Sequence, residues 1–437
     1  MEIISDLQIH SKYSYATSKD ISFKNLEKYA RIKGLHLLGT GDFQHPLQFE
    51  AINKELKEDE NGILWSNTGF PFLWQTEISL IYTQNGKGQR IHHLIFSPNK
   101  EVAKQIIDAL SKRGRLDYDG RPIFGFTSVE LVDMMRSINE EIEIIPAHIW
   151  TSHFSLMGEY NQLSRVEDCF GDNTKYIYAL ETGMSSNPAD NWRLSVLDKF
   201  QLVSFSDSHS HWPWRLGREA TIFDFKELSY KNFLGAIRMG EGLKSTIETY
   251  TRYGKYHFSG HRNCNVLFSP EETKKHNKIC PKCGNKLTIG VADRIEKLAD
   301  KPEGYKRKNA VPFVSLIPLH ELIAAVYDMK QLSSKKVWEI YNKLIKEFGN
   351  EFNVLLNAHR ENLIKVLDKY PLLVELILLG REGKIKVKPG FDGEYGQVMM
   401  SQTLKPHPEG CGVREHPKVP REKLKDFLML EKQERLF

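Results

Sequence analysis

The sequence predicts an α/β protein over its first 250 residues, followed by a short Cys/Lys-rich segment and a mainly helical C-terminal part. Three observations carry this reading. Short apolar runs alternate with amphipathic helical patterns as far as residue 250; His and Cys residues then cluster between positions 261 and 283; and from about residue 317 the apolar spacing is helical. A chain of 437 residues exceeds one compact core, and the expected divisions are 1–250, 251–300, 301–400 and a tail, 401–437.

Apolar or alternating runs predict strands at residues 2–10, 35–41, 72–82, 90–97, 142–149, 176–182 and 202–206. Between the first two, Phe23, Leu26, Tyr29 and Ala30 share one helical face, and Gly34 supplies a stop. Thr127 and Glu130 have the spacing of a capping box that opens a helix running through Met135. Repeated βα units of this length point to a parallel sheet or barrel. Helices are expected at 319–329, 334–348, 352–367 and 372–379, followed by a Gly-rich turn at 388–396 and a tail of Pro, His and charge.

Polar residues gather at the expected strand ends: Asp6, Gln8 and His10; Asp42 and His45; Glu77; His92 and His93; His148; Glu181; Asp207 and His209. In a parallel α/β sheet these ends converge on one mouth, where His, Asp and Glu can hold divalent metals through nitrogen and oxygen. Asp207 and His209, two apart, project from one side of an extended segment. Alone, Asp-x-His is common by chance, and His148 alone would be an ordinary core histidine. Glu77 and Glu181 fall where a strand should be apolar, so each needs a metal or an Arg partner. Of His92 and His93, only one can face the mouth.

His261-x2-Cys264 and Cys280-x2-Cys283, separated by fifteen residues, have zinc-ribbon spacing and predict one structural zinc, with His257 the rival histidine. Charge divides along the chain. Residues 1–250 hold 27 Lys and Arg against 33 Asp and Glu, a balance of −6, whereas residues 251–437 hold 34 against 23, a balance of +11. An acidic half suits cations and a basic half a polyanion, though an ion-pair-rich surface of thermophilic type would also fit. Lys282 and Lys286 beside the cysteines, with Arg215 and Arg218 after the last strand, are the candidate phosphate contacts; the two arginines could equally pair with Glu219 or neighbouring acids. No apolar run reaches membrane-spanning length and no secretory signal is visible, so a cytoplasmic, nucleoid-associated protein is expected.

The order of Asp-Leu-x-Ile-His-Ser, Gly-Asp-x-x-His-Pro, Glu77, Pro-Ala-His, Glu-Thr-Gly and Ser-Asp-Ser-His resembles the polymerase-and-histidinol-phosphatase (PHP) superfamily. Within it the pattern is most similar to the endonuclease Q family, the likeness extending through the Cys/His region and the Pro-Gly-Phe-Asp-Gly-Glu-Tyr-Gly turn. This resemblance implies a distorted seven-stranded βα barrel holding a di- or trinuclear centre of zinc, manganese or magnesium. It implies His10, Glu77, His148, Glu181, Asp207 and His209 as ligands, with Glu77 bridging two metals and Asp207, Glu77 and His148 central to catalysis. Three positions depart from the superfamily pattern: Gln8 replaces a histidine, Tyr15 an acid, and Phe43 a histidine whose place His45 could take. Gln8, Asp42 and His45 complete the candidate set.

The implied activity is a DNA-repair endonuclease in which metal-activated water cuts 5′ to deaminated bases (uracil, hypoxanthine, xanthine) or abasic sites, leaving a 3′-hydroxyl and a 5′-phosphate. The expected partner is damaged double- or single-stranded DNA, bound by a monomer. Two other readings stand beside it: a noncatalytic DNA-binding protein with a decayed metal site, and a small-molecule phosphatase of the histidinol-phosphatase type. Residues 421–428 resemble a sliding-clamp-binding box lacking its initial Gln, or equally a short packing helix.

Overall fold

The computed structural model describes residues 1–399. Glu2–Asp6, buried from its second residue onward, lies between Leu37–Gly39, to which it is parallel, and Ala220–Asp224, to which it is antiparallel. These belong to an eight-stranded sheet bounded by Phe313–Leu316 on one side and Leu56–Glu58 on the other. A four-stranded sheet holds Ile123–Phe124, Gln75–Gln84, Lys87–Phe96 and Glu143–Pro146, and Ala179–Glu181 pairs in parallel with Gln201–Val203. Hydrogen bonds beyond the strand ends carry the pairing from sheet to sheet, Ile149 N to Glu181 O (3.0 Å) and Ser208 N to Gln8 O (3.2 Å), while Thr182 N to Val203 O (3.0 Å) extends the pair between them. The chain is thus α/β, and residues 8–10, 148 and 207–209 meet at one end of this circuit.

The expected parallel arrangement is corrected to a mixed one. Asn85 and Gly86 both take positive φ, 52° and 74°, the backbone of a tight reversal. Gln75–Gln84 and Lys87–Phe96 therefore pair antiparallel, and Lys87–Phe96 pairs antiparallel with Glu143–Pro146. The expected strand 72–82 breaks at Trp74, so that Pro71–Leu73 and Gln75–Gln84 enter different sheets. Ala220–Asp224 and Leu243–Thr249 are further strands that the apolar runs did not mark.

Local signals set the helices. Ser22 accepts from the Asn25 amide to open Phe23–Lys33, which closes on Gly34 at φ 99°. Thr127 and Glu130 form the reciprocal capping box that opens Ser128–Ile138. In the C-terminal part the helices are Leu319–Val326, Lys335–Phe348, Arg360–Val366 and Pro371–Arg381. The helix expected over 352–367 is interrupted, because Asn353–Asn357 forms a wider π-turn that ends at Ala358. Among the described residues no helix is long and apolar enough to cross a membrane. The clamp-like segment, 421–428, lies outside the described residues.

A buried ion pair joins the C-terminal helices to the first part. Lys33 Nζ donates to Glu351 Oε1 at 2.7 Å, with the two side chains 1% and 0% exposed. Both groups have further partners: Glu351 accepts from Leu319 N and Tyr341 Oη, each at 2.9 Å, and Lys33 donates to Pro213 O at 2.8 Å. Trp212 stacks on Trp214 at 5.2 Å, and Trp338 and His320 pack against the pair.

Two stability predictions follow from buried charge. Lys33→Met leaves Glu351 without its cation and is expected to cost about 3–5 kcal/mol in urea unfolding. Adding Glu351→Gln, which removes the orphaned charge, keeps one acceptor oxygen for Leu319 N and turns an amide N–H toward Tyr341 Oη, should recover part of that loss. Elsewhere, burial pushes the Glu143 carboxyl up from 4.5 to about 7, and Arg238 at 2.8 Å only partly opposes the shift. The folded state holds this proton more tightly than the unfolded chain does. The stability it contributes is therefore full below about pH 4.5 and is lost as the pH rises through about 7. Glu143→Gln is expected to flatten the pH dependence of the urea midpoint across that window.

Candidate metal centre

Three candidate ligands sit where strand gives way to loop with left-handed backbone: Asp42 at φ 48°, His148 at 31° and Asp207 at 48°. Such backbone is unfavourable for residues with a Cβ and gathers at functional sites. Gly183 supports the arrangement, since a Cβ there would lie 2.7 Å from the Cβ of His148.

Glu77 stands at the centre and is 0% exposed. Its Oε2 accepts from Gln8 Nε2 at 2.8 Å and lies 3.3 Å from His10 Nε2. Its Oε1 lies 2.7 Å from His92 Nδ1, 3.2 Å from Arg121 Nη1 and 3.7 Å from His148 Nε2. His10 Nε2 also reaches Asp207 Oδ1 at 3.1 Å, and His209 Nδ1 lies 3.7 Å from the same oxygen. Two sets of potential ligand atoms result, His10–Asp207–His209 and Glu77–His92–His148, each gathered within 4.8 Å. Asp207 and His209 are 32% and 31% exposed and form the mouth, while the rest of the centre is buried.

The electrostatics follow from this packing. Burial alone would raise the Glu77 carboxyl, but Arg121, His92 and hydrogen bonds from His10 and His148 hold it well below the usual carboxylate range. Burial opposes ionisation of Asp207 as well, yet His209 and the His10 hydrogen bond keep it below its ordinary value. Burial and then Arg121 push His92 down to about 3.

The donor set fits divalent metals. Both nitrogens of His10 face carboxylates, so the ring needs a cation at Nε2, either a proton or a metal, while Asp42 Oδ1 at 3.0 Å takes Nδ1. Gln8 Oε1 is buried beside Glu77 with no hydrogen-bond partner among the described residues, a neutral oxygen free for a cation.

The structure brings His10, Glu77, His148, Asp207 and His209 together, with Gln8 on Glu77. Asp42 is placed differently, for its second oxygen accepts from Ser11 N at 2.6 Å and Ser14 Oγ at 2.8 Å, and it serves to orient His10. Glu181 spends its oxygens on the backbone amides of His148 and Gly183, and burial pushes it up to about 8. His45 stacks on Tyr13 at 4.5 Å, outside both sets, with Nδ1 unpartnered. Two residues of the centre were not legible as such. His93 turns away to Ser128 Oγ at 2.9 Å, which leaves His92 on the Glu77 side; strand alternation from Glu77 around the Asn85-Gly86 turn is the signal that separates them. Arg121 comes from a loop that carries no motif.

The other candidates resolve as follows. His261, Cys264, Cys280 and Cys283 converge within 4.8 Å, and His261 Nδ1 lies 3.4 Å from Cys283 Sγ. His257 is buried elsewhere and stacks on Phe258. Asn265 at φ 47° and Gly284 at 75° make the turns that let each pair face inward. Lys282 donates to Cys264 O at 2.8 Å, so it closes the knuckle itself, whereas Lys286 is exposed. Arg218 is committed to Ser206 O at 3.0 and 3.2 Å and to Tyr395 Oη at 3.4 Å. Arg215 lies 3.5 Å from Glu321 and 5.2 Å from the Tyr395 ring. Neither arginine is brought to the Glu77 centre. The Gly-rich turn ties the knuckles to the body, since Asp392 accepts from Arg262 N and from Thr288 Oγ1, each at 2.6 Å.

Residues 318–384 match the MJ0043 C-terminal domain family. The Methanocaldococcus jannaschii protein MJ0043 itself is 33% identical over 249 residues, which cover 55% of this chain and 30% of that protein; the chain thus spans under a third of that relative's length. YqxK of Bacillus subtilis is 29% identical over 378 residues, 84% of this chain and 89% of YqxK. Two solved structures superpose along nearly the whole chain. The lesion-specific endonuclease PfuEndoQ of Pyrococcus furiosus is 30% identical with a TM-score of 0.81, covering 92% of this chain and 96% of its own. An endonuclease Q complexed with a 27-mer duplex carrying an abasic lesion at its active site is 30% identical with a TM-score of 0.83, covering 94% and 99%.

Cys280→Ser is expected to release the metal of the Cys/His cluster, read as the loss of one zinc per chain by atomic emission. The melting midpoint should fall with it, because ligand spacing rather than a large apolar core holds this segment.

Proposed function

Because the chain belongs to the endonuclease Q family, we propose that it is a metal-dependent DNA-repair endonuclease acting on lesion-containing DNA. The bond cut is the phosphodiester 5′ to a deaminated base (uracil, hypoxanthine or xanthine) or an abasic site, with a 3′-hydroxyl and a 5′-phosphate as products. The observation that carries this reading is the buried Glu77 carboxylate, flanked by two His-containing ligand sets that open to solvent through Asp207 and His209.

His10, Asp207 and His209 would hold one metal, and Glu77, His92 and His148 a second, with Gln8 Oε1 available beside them. Bound there, divalent ions supply Lewis-acid neutralisation of phosphate charge and lower the pKa of water, so no nucleophilic side chain is needed. The chain's own residues provide geometry. Asp42 fixes the His10 ring through Nδ1, and Glu181 pins the His148 backbone from below. Arg121 helps to keep the buried Glu77 ionised. Substrate would enter over Asp207 and His209, the exposed side chains of the set.

In this reading residues 1–250 are catalytic, 251–300 form a zinc module, and 301–400 extend the DNA-binding surface. Lys274, Lys275 and Lys286 are exposed around the knuckles and suit sequence-independent phosphate contacts. A DNA substrate places the enzyme in the cytoplasm, with the nucleoid.

The test is a labelled duplex with one deoxyuridine or abasic site beside an undamaged control. A single cut 5′ to the lesion is expected, lost with chelator and in Asp207→Ala, while Asp42→Asn slows it by about 10–100-fold. Salt-sensitive binding with no cut on uracil, hypoxanthine or abasic duplexes would overturn the endonuclease reading in favour of a noncatalytic binder.

A further inference from the structure

Arg121 follows a short loop that is held over the centre from both sides. Gly120 N donates to Tyr13 O at 3.1 Å, Gln44 Nε2 donates to Gly120 O at 2.6 Å, and Arg121 N donates to Asp119 Oδ1 at 3.0 Å. Position 120 accepts no side chain: a Cβ would collide with Ser14 Oγ and Asp42 Oδ2, the same Asp42 that orients His10. The backbone before Arg121 therefore lies directly against the candidate ligand shell, which fixes where its side chain starts.

The guanidinium uses little of its capacity on the protein. Nη1 donates to Glu77 Oε1 at 3.2 Å, and among the described residues the other side-chain N–H groups have no protein acceptor. The side chain is 24% exposed beside a fully buried Glu77, so the free donors face the open side. Arg215 and Arg218, the arginines that sequence position favoured, are engaged by Glu321, Tyr395 and Ser206 instead. Arg121 is thus the guanidinium bonded to Glu77, and it keeps a planar set of donors for a ligand carrying paired acceptor oxygens.

We propose that Arg121 is a catalytic residue that binds a non-bridging oxygen of the cleaved phosphate, and of the product 5′-phosphate, through the donors it does not spend on Glu77. A phosphodiester presents two such oxygens and one negative charge, which a guanidinium matches with two N–H groups. The contact would persist after cutting, because the 5′-phosphate keeps these oxygens. This inference rests on the reading of the site as a phosphodiester-cleaving centre.

The experiment compares binding of two nicked lesion duplexes, identical except that one carries a 5′-phosphate at the nick and the other a 5′-hydroxyl. No cleavage is needed to read it. The full-length protein is expected to prefer the phosphorylated nick, and Arg121→Gln to reduce that preference by about 10–100-fold, the size of a hydrogen bond to a charged group. Metal content measured on the same samples should remain at the wild-type level. Arg121→Lys keeps a cation beside Glu77 and is the second variant, expected to retain the metals while restoring only part of the preference. Should Arg121→Gln lose metal, Arg121→Lys decides: metals retained with a weakened preference supports the contact, and an unchanged preference overturns it. Wild-type preference kept in both variants also overturns it. The nicking assay run in parallel separates the two proposals, since a wild type that cuts lesion duplexes while both variants keep the preference sinks only the Arg121 contact. A wild type that never cuts, yet loses its phosphate preference on Arg121→Gln, sinks the endonuclease reading and with it the catalytic role, and leaves standing only a contact between Arg121 and a terminal 5′-phosphate.

Discussion

A carboxylate sealed from water is costly unless cations and donors surround it, and the geometry around Glu77 answers that requirement. Gln8 and His10 from one segment, and His92, Arg121 and His148 from three others, all direct a nitrogen at its two oxygens. Each of those segments must therefore end at the same point, and the mixed sheet is the frame that brings them there. The arrangement is also one that metal ions would relieve, because apart from Arg121 the cations directed at this carboxylate are protons on imidazoles.

The shell behind the centre is made of groups that hold other groups. Asp42 grips His10, Glu181 grips the backbone at His148, and Arg218 grips the carbonyl just before Asp207. Left-handed backbone at Asp42, His148 and Asp207 is sustained by these contacts rather than by local preference. Such a shell leaves little freedom for rotation of the imidazoles, which suits chemistry that depends on positioning.

The C-terminal helices share an apolar core with this frame, whereas the Cys/His knuckles have a small apolar cluster of their own; polar contacts tie both to the frame. The Lys33–Glu351 pair joins the first helix to the C-terminal ones, and Asp392 joins the Gly-rich turn to the knuckle backbone. Tyr395 on the same turn meets Arg215 and Arg218, so the turn lies between the knuckles and the strand that ends in Asp207. The basic half is in this way tied to the acidic half that holds the candidate metal ligands.

Local chemistry made much of this legible in the sequence. Ser22 and Gly34 bound one helix, the Thr127–Glu130 box opens another, and the spacing of His261, Cys264, Cys280 and Cys283 marks the second cluster, because caps and knuckles are written in a few adjacent residues. The strand-end positions of His10, His148, Asp207 and His209 were readable for a similar reason, since apolar runs show where strands stop; Glu77 lies instead within Gln75–Gln84 and stood out as a carboxylate where a strand should be apolar. Pairing partners were not. Whether Asp42 binds a metal or a histidine and which arginine reaches Glu77 depend on contacts 32 and 44 residues apart in sequence, and the frame that permits them is closed by longer ones, as the bond donated by Ser206 N to Asp6, 200 residues away, illustrates. Residue types and short spacings determine which chemistry this chain can hold; only the tertiary structure decides which side chains share a site, because that depends on long-range packing that no local pattern encodes.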